Sequence, residues 1–75
     1  MTAILWSKPA CPFCVQAAAL LTSNGIEFEE RKIGSGWTKE DLLKVVPNAR
    51  TIPQIFIDGI LVGGFTELKQ KLTKE

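Results

Sequence analysis

The sequence predicts one α/β domain whose elements follow the order β-α-β-α-β-β-α, as a four-stranded mixed sheet flanked by three helices. Short apolar or alternating segments, compatible with strands, are separated by longer runs of helix formers. Asp58-Gly59 stands between two apolar runs and is a strong hairpin-turn signal. The 75 residues, 45% hydrophobic and 23% charged, place residues 1–75 in a single small globular domain. A domain of this size buries only about 60% of its unfolded surface, so its stability should lie near the low end of the usual range.

Each element has its own signal. Thr2 to Trp6 is a short apolar, partly β-branched run ended by Lys8-Pro9, and reads as a buried first strand. Pro12 to Asn24 contains good helix formers, apolar on most faces, so a largely buried helix is expected, stopped by Asn24-Gly25. Ile26 to Ile33 begins by alternating apolar with charged residues, as a half-exposed strand does. Thr38, with Asp41 three residues on, forms a variant capping box for a helix of about two to three turns that ends before Pro47. Ile52 to Ile57 and Ile60 to Val62 flank the Asp-Gly turn, and Gly63-Gly64 follows. Phe65, Leu68 and Leu72 share one face of a last helix, with Lys69, Lys71 and Lys74 toward its negative end. A right-handed crossover makes the first two strands parallel, and helices should cover both sheet faces.

Nine basic against eight acidic residues leave a formal charge of +1, so no field draws the chain to nucleic acid or an anionic membrane. The N-terminus lacks a basic flank and a continuous apolar core, so it reads as a strand and not as a secretion signal. No apolar stretch approaches the roughly 20 residues of a membrane span, and a soluble protein is expected. Only two cysteines occur, three residues apart, too close to staple a fold. That usage points to reactive thiols in a reducing, cytoplasmic compartment.

Cys11-Pro12-Phe13-Cys14 lies between a predicted strand and a predicted helix, where this spacing reads as a redox pair. Residues i and i+3 of a first helical turn are about 5 to 6 Å apart, within disulfide reach. Cys11 precedes the free amides and positive end of the helix, which favours its thiolate and makes it the nucleophile. Cys14, one turn further, is the shielded resolving thiol. The first acidic residue is Glu27, and Lys8 is the only charged side chain before it, so nothing local in sequence opposes a thiolate. Pro12 suits the first helical position. A monomeric zinc site is disfavoured because the chain has no His and no third Cys. Two inert buried thiols remain an alternative.

Three motifs give a family resemblance: Lys8-Pro9-Ala10-Cys11-Pro12-Phe13-Cys14, Arg50-Thr51-Ile52-Pro53-Gln54-Ile55-Phe56-Ile57-Asp58-Gly59, and Gly63-Gly64 opening the last helix. In this order and spacing the whole chain resembles a dithiol glutaredoxin, of thioredoxin-like (glutaredoxin) fold. The resemblance implies a cis peptide at Pro53 facing the cysteines, and backbone groups of Ile52 offered to an extended thiol peptide. It implies a glutathione site from Lys8, Phe13, Thr51, Ile52, Pro53, Gly64, Phe65 and Thr66, with the γ-glutamyl end at the last helix's amides. Lys8 would attract the glycyl carboxylate, and Phe13 stands where many members carry Tyr. Thr66 replaces the usual acid, with Glu67 one position later; Thr66 can cap the helix but cannot pair with an ammonium. Arg50 is either a flank of this site or a surface ion-pair partner. Trp6 reads as core, and Trp37 either covers the second helix or, if exposed, marks a partner surface.

The resemblance thus implies a glutathione-dependent thiol-disulfide oxidoreductase with Cys11 and Cys14 as catalytic residues. It would act as a monomer on protein disulfides and glutathione mixed disulfides, ribonucleotide reductase among its partners. Glutathione would be a co-substrate, with no tightly bound cofactor and no metal. Two alternatives stay open: a thioredoxin-like reductant recharged by a flavoprotein reductase, and a dimer binding a [2Fe–2S] cluster through Cys11 and glutathione.

Overall fold

The structure is a computed structural model and describes residues 1–73; Lys74, expected near the end of the last helix, lies outside the described residues. Its elements are β1 (Thr2–Ser7), α1 (Pro12–Ser23), β2 (Glu27–Lys32), α2 (Lys39–Val45), β3 (Gln54–Ile57), β4 (Ile60–Gly63) and α3 (Phe65–Thr73). The predicted order holds throughout. The sheet order is β2-β1-β3-β4, with β1 and β2 parallel and the other pairs antiparallel.

Strand β1 explains why its sequence is apolar without a break. Ala3 and Leu5 face a cluster with Ala17, Leu21, Ile55, Ile57 and Leu68, from α1, β3 and α3. Ile4 and Trp6 point the opposite way, with Leu42 and Val46 at and just beyond α2. A strand buried on both faces has no polar side to alternate with. At the hairpin, Asp58 (φ 51°) and Gly59 (φ 81°) both take left-handed backbone, as a tight primed turn requires. Asp58 also ties the turn to the start of β1: its amide donates to the Thr2 carbonyl at 2.8 Å, and its Oδ1 accepts the Thr2 amide at 3.0 Å.

Helix α1 departs from expectation. Only Cys14, Ala17 and Leu21 are buried along it, while Phe13 and Val15 are 57% and 69% exposed. The helix lies on one sheet face beside α3, so only one stripe of side chains meets the core, and among the described residues no element covers its outer side.

Helix α2 carries the predicted capping box. Thr38 Oγ1 accepts the Asp41 amide at 3.1 Å, and Asp41 Oδ2 accepts the Thr38 amide at 2.9 Å. The bond from the Thr38 backbone is the chief reason the Asp41 carboxyl sits below its ordinary value of 3.8, with smaller help from the Thr38 hydroxyl and Lys44. Because the folded pKa is depressed, this contribution is fully present above the unfolded value and is lost as the pH falls through the folded one. Acidification through that window is therefore expected to lower the melting temperature less in Asp41→Asn than in the parent chain, as thermal melts at stepped pH would measure.

Candidate active site

Strand β1 delivers the chain to the site, and Ala10, with φ 56°, turns it into α1. Cys11 is the N-cap of that helix in extended conformation, and Pro12 takes the first helical position. The Cys14 amide donates to Cys11 Sγ at 3.3 Å, so the cysteine sulfur fills the place that a Ser or Asp oxygen takes in an ordinary cap. A sulfur at this point lies at the positive end of the helix and accepts one of its orphan amides, which stabilises a thiolate. Cys11 and Cys14 are joined as a disulfide across a Cα–Cα distance of 5.3 Å, the span expected from their spacing. Cys11 keeps 7% exposure and Cys14 4%.

Ile52-Pro53 is a cis peptide, as the resemblance implied, and the Ile52 carbonyl oxygen lies 3.8 Å from Cys11 Sγ. The buried Gln54 braces this loop from behind, its Nε2 donating to the Thr51 carbonyl at 2.9 Å. On the far side, Phe13 stacks on Phe65, with ring centroids 5.9 Å apart and planes 29° from parallel. A groove of about 280 Å³ runs between these walls, lined by Phe13, Thr51, Ile52, Pro53, Gly64, Phe65, Thr66 and Glu67. Seven residues singled out from the sequence thus meet in one groove.

Lys8 lies elsewhere. It lines a cleft with both cysteines, and a second groove of about 330 Å³ with Lys39, Arg50, Thr51 and Ile52. Thr51 and Ile52 border both grooves, so a cationic groove and the groove with Glu67 meet beside Cys11. Among the described residues no group of three or more His, Cys, Asp and Glu is placed to hold a metal. None of the described helices is long and apolar enough to cross a membrane.

One carboxylate near the site escapes the sequence reading, and so does the bond made by a second. Glu30 shares the cysteine cleft with Lys8 and Lys32, and its Oε2 accepts the hydroxyl of the buried Ser7 at 2.7 Å. The absence of acidic residues near Cys11 in sequence therefore does not hold in space, because parallel pairing sets Glu30 opposite Leu5. Two lysines outnumber it in the cleft. Glu67 folds back over the glycine pair, and its Oε1 accepts the Gly64 amide at 2.9 Å. The signal for Glu67 was present, since an acid three residues after a helix N-cap commonly returns to the cap's amide.

Trp6 is core, as expected. Trp37 is half-buried in edge contact with it at 5.3 Å, so Trp37 belongs to the cluster on the α2 face and does not form an exposed partner surface. The Arg31 guanidinium caps both rings, at 4.4 Å from Trp37 and 5.3 Å from Trp6. It also pairs with Glu29 at 2.6 Å.

A glutaredoxin family model matches residues 3–62. Glutaredoxin 3 of Escherichia coli is 40% identical over 65 residues, an alignment covering 85% of this chain and 77% of that protein. Glutaredoxin 1 of Rickettsia felis is 39% identical over 66 residues, covering 84% of this chain but only 64% of the relative's length. Among solved structures, glutaredoxin 1 of Francisella tularensis, in complex with cacodylate, superposes with a TM-score of 0.82 at 31% identity, over 97% of this chain and 93% of that one. Similarity of this extent, in sequence and in fold, comes with a bonded cysteine pair where thiol-disulfide oxidoreductase chemistry requires it. The chain belongs to the glutaredoxin family.

Proposed function

We propose that this protein is a glutathione-dependent thiol-disulfide oxidoreductase acting on glutathione mixed disulfides and protein disulfides in a reducing compartment. The observation that carries the reading is the Cys11 sulfur at the N-cap of α1, against the Ile52 carbonyl at one wall of the groove. In the reduced protein the Cys11 thiolate attacks the glutathionyl sulfur of a mixed disulfide; the substrate sulfur leaves as a thiolate and takes a proton. The glutathione moiety, now bonded to Cys11, lies along Thr51–Pro53 with its γ-glutamyl end toward Gly64–Thr66. A second glutathione thiolate attacks that glutathionyl sulfur, releasing glutathione disulfide and the Cys11 thiolate. In each turnover one mixed disulfide is reduced and one free glutathione is consumed, the other half of the glutathione disulfide coming from the mixed disulfide itself.

For a protein disulfide, Cys11 attacks one substrate sulfur and forms a mixed disulfide with the protein. Cys14 then attacks Cys11 Sγ, which releases the reduced protein and leaves the Cys11–Cys14 disulfide for two glutathiones to reduce. Ribonucleotide reductase is a protein substrate on this reading, and the enzyme works as a monomer with no tightly bound cofactor. Serine at Cys14 separates the routes. Cys14→Ser is expected to retain turnover of a glutathionylated peptide and to lose steady-state reduction of a protein disulfide, measured with glutathione, glutathione reductase and NADPH. Equal loss of both activities in a folded Cys14→Ser protein would contradict this mechanism.

A further inference from the structure

Glutathione's γ-glutamyl end carries a carboxylate, and the α3 end of the groove already holds one. Among the described residues that line the groove Glu67 alone is charged, and its Oε1 accepts the Gly64 amide at 2.9 Å. The glycine pair makes room for it. Gly63, with φ 119°, adopts backbone that a side chain would strain, and a Cβ there would stand 3.2 Å from Glu67 Cγ. A Cβ on Gly64 would meet Glu67 Oε1 at 3.2 Å and the Pro53 carbonyl at 3.5 Å. The helix end, the glycine step and the groove wall therefore all accommodate a carboxylate supplied by the chain itself.

We propose that Glu67 sets ligand specificity as an internal competitor: its carboxylate holds the Gly64 amide at the α3 end of the groove, so a ligand carboxylate binds there only by displacing it. Both anions seek the same positive helix terminus, where a charge-assisted bond is stronger than a neutral one. While the internal bond is made, the protein is closed to the ligand, and apparent affinity falls with the fraction of molecules left open. This inference rests on the proposed glutathione reading of the groove.

The test compares the parent chain with Glu67→Gln and Glu67→Ala, using S-methylglutathione, which cannot exchange disulfides, as the probe in NMR titrations of the oxidised protein. Glu67→Ala is expected to bind about three- to tenfold more tightly, from loss of the competing bond to the Gly64 amide. Glu67→Gln, which keeps an acceptor but no charge, should fall between. Loss of the cap should at the same time lower the melting temperature of Glu67→Ala by about 4 to 8 °C. Tighter binding by a less stable protein is an outcome that a merely structural role does not produce. An unchanged or larger dissociation constant in Glu67→Ala overturns the competitor. If the parent chain nevertheless turns over a glutathione mixed disulfide, the glutathione reading survives that result. Absence of both binding and turnover overturns the two together.

Discussion

Replacing Cys11 with serine is expected to reduce thiol-disulfide exchange to the uncatalysed background for every substrate. A serine hydroxyl forms no disulfide, and both routes begin with bond formation at Cys11 Sγ. The substitution is also structurally mild. Cys11 is the N-cap of α1 and accepts the Cys14 amide through its side chain, and serine is among the preferred residues for that position. Cys11→Ser should therefore retain helical circular dichroism and cooperative melting while losing activity. Comparing its turnover and melt with those of the parent chain checks both halves. Appreciable turnover in this variant would mean that Cys11 is not the attacking residue.

The largest effect on stability is expected at Leu68. This side chain is fully buried in the cluster that joins α3 to α1, β1 and β3. Truncating a core leucine to alanine costs about 2 to 5 kcal/mol, including the cavity left behind. A domain this small has a total stability at the low end of about 5 to 15 kcal/mol, so Leu68→Ala should be partly unfolded at ambient temperature. Urea titration followed by circular dichroism measures the loss. The functional consequence follows from position: α3 carries Phe65, Thr66 and Glu67 into the groove, and Leu68 anchors the turn directly after them. The Leu68 amide also donates to the Gly64 carbonyl at 3.0 Å. Folded Leu68→Ala protein should bind glutathione-type ligands less well, whereas a loss of stability below about 1 kcal/mol would show that the site collapses without cost.

What was legible in the sequence is what local chemistry decides. The Asp58-Gly59 turn, the Thr38–Asp41 box and the Asn24-Gly25 stop each lie within a few residues, and each forms as read. The redox pair was legible for the same reason, since one helical turn brings Cys11 to Cys14. The groove walls were identified through family motifs, because Phe13, Pro53 and Gly64 stand on three separate elements that only the folded sheet brings together. What escaped depends on neighbours distant in sequence. The exposure of Phe13 and Val15 follows from α1 having one covered side. Glu30 reaches the cysteine cleft through the β1–β2 pairing, and Arg31 reaches Trp6 and Trp37 through the same register. Glu67 is different: its return to Gly64 is local, and it was read only as the acid one place late.

These details bear on recycling. On the proposed reading, the groove's backbone, two aromatic rings and helix end receive a peptide-like ligand, and Lys8, Lys39 and Arg50 of the adjoining groove receive its other, anionic end. A ligand with carboxylates at both ends suits this arrangement, provided that Glu67 yields. The measurement that tests the account most directly is the reduction of a small glutathione mixed disulfide by the parent chain. It is run in parallel with glutathione, glutathione reductase and NADPH, and with thioredoxin reductase and NADPH alone. The account predicts sustained turnover with the glutathione system and none above background with thioredoxin reductase. Turnover with thioredoxin reductase alone, and none with glutathione, would contradict it.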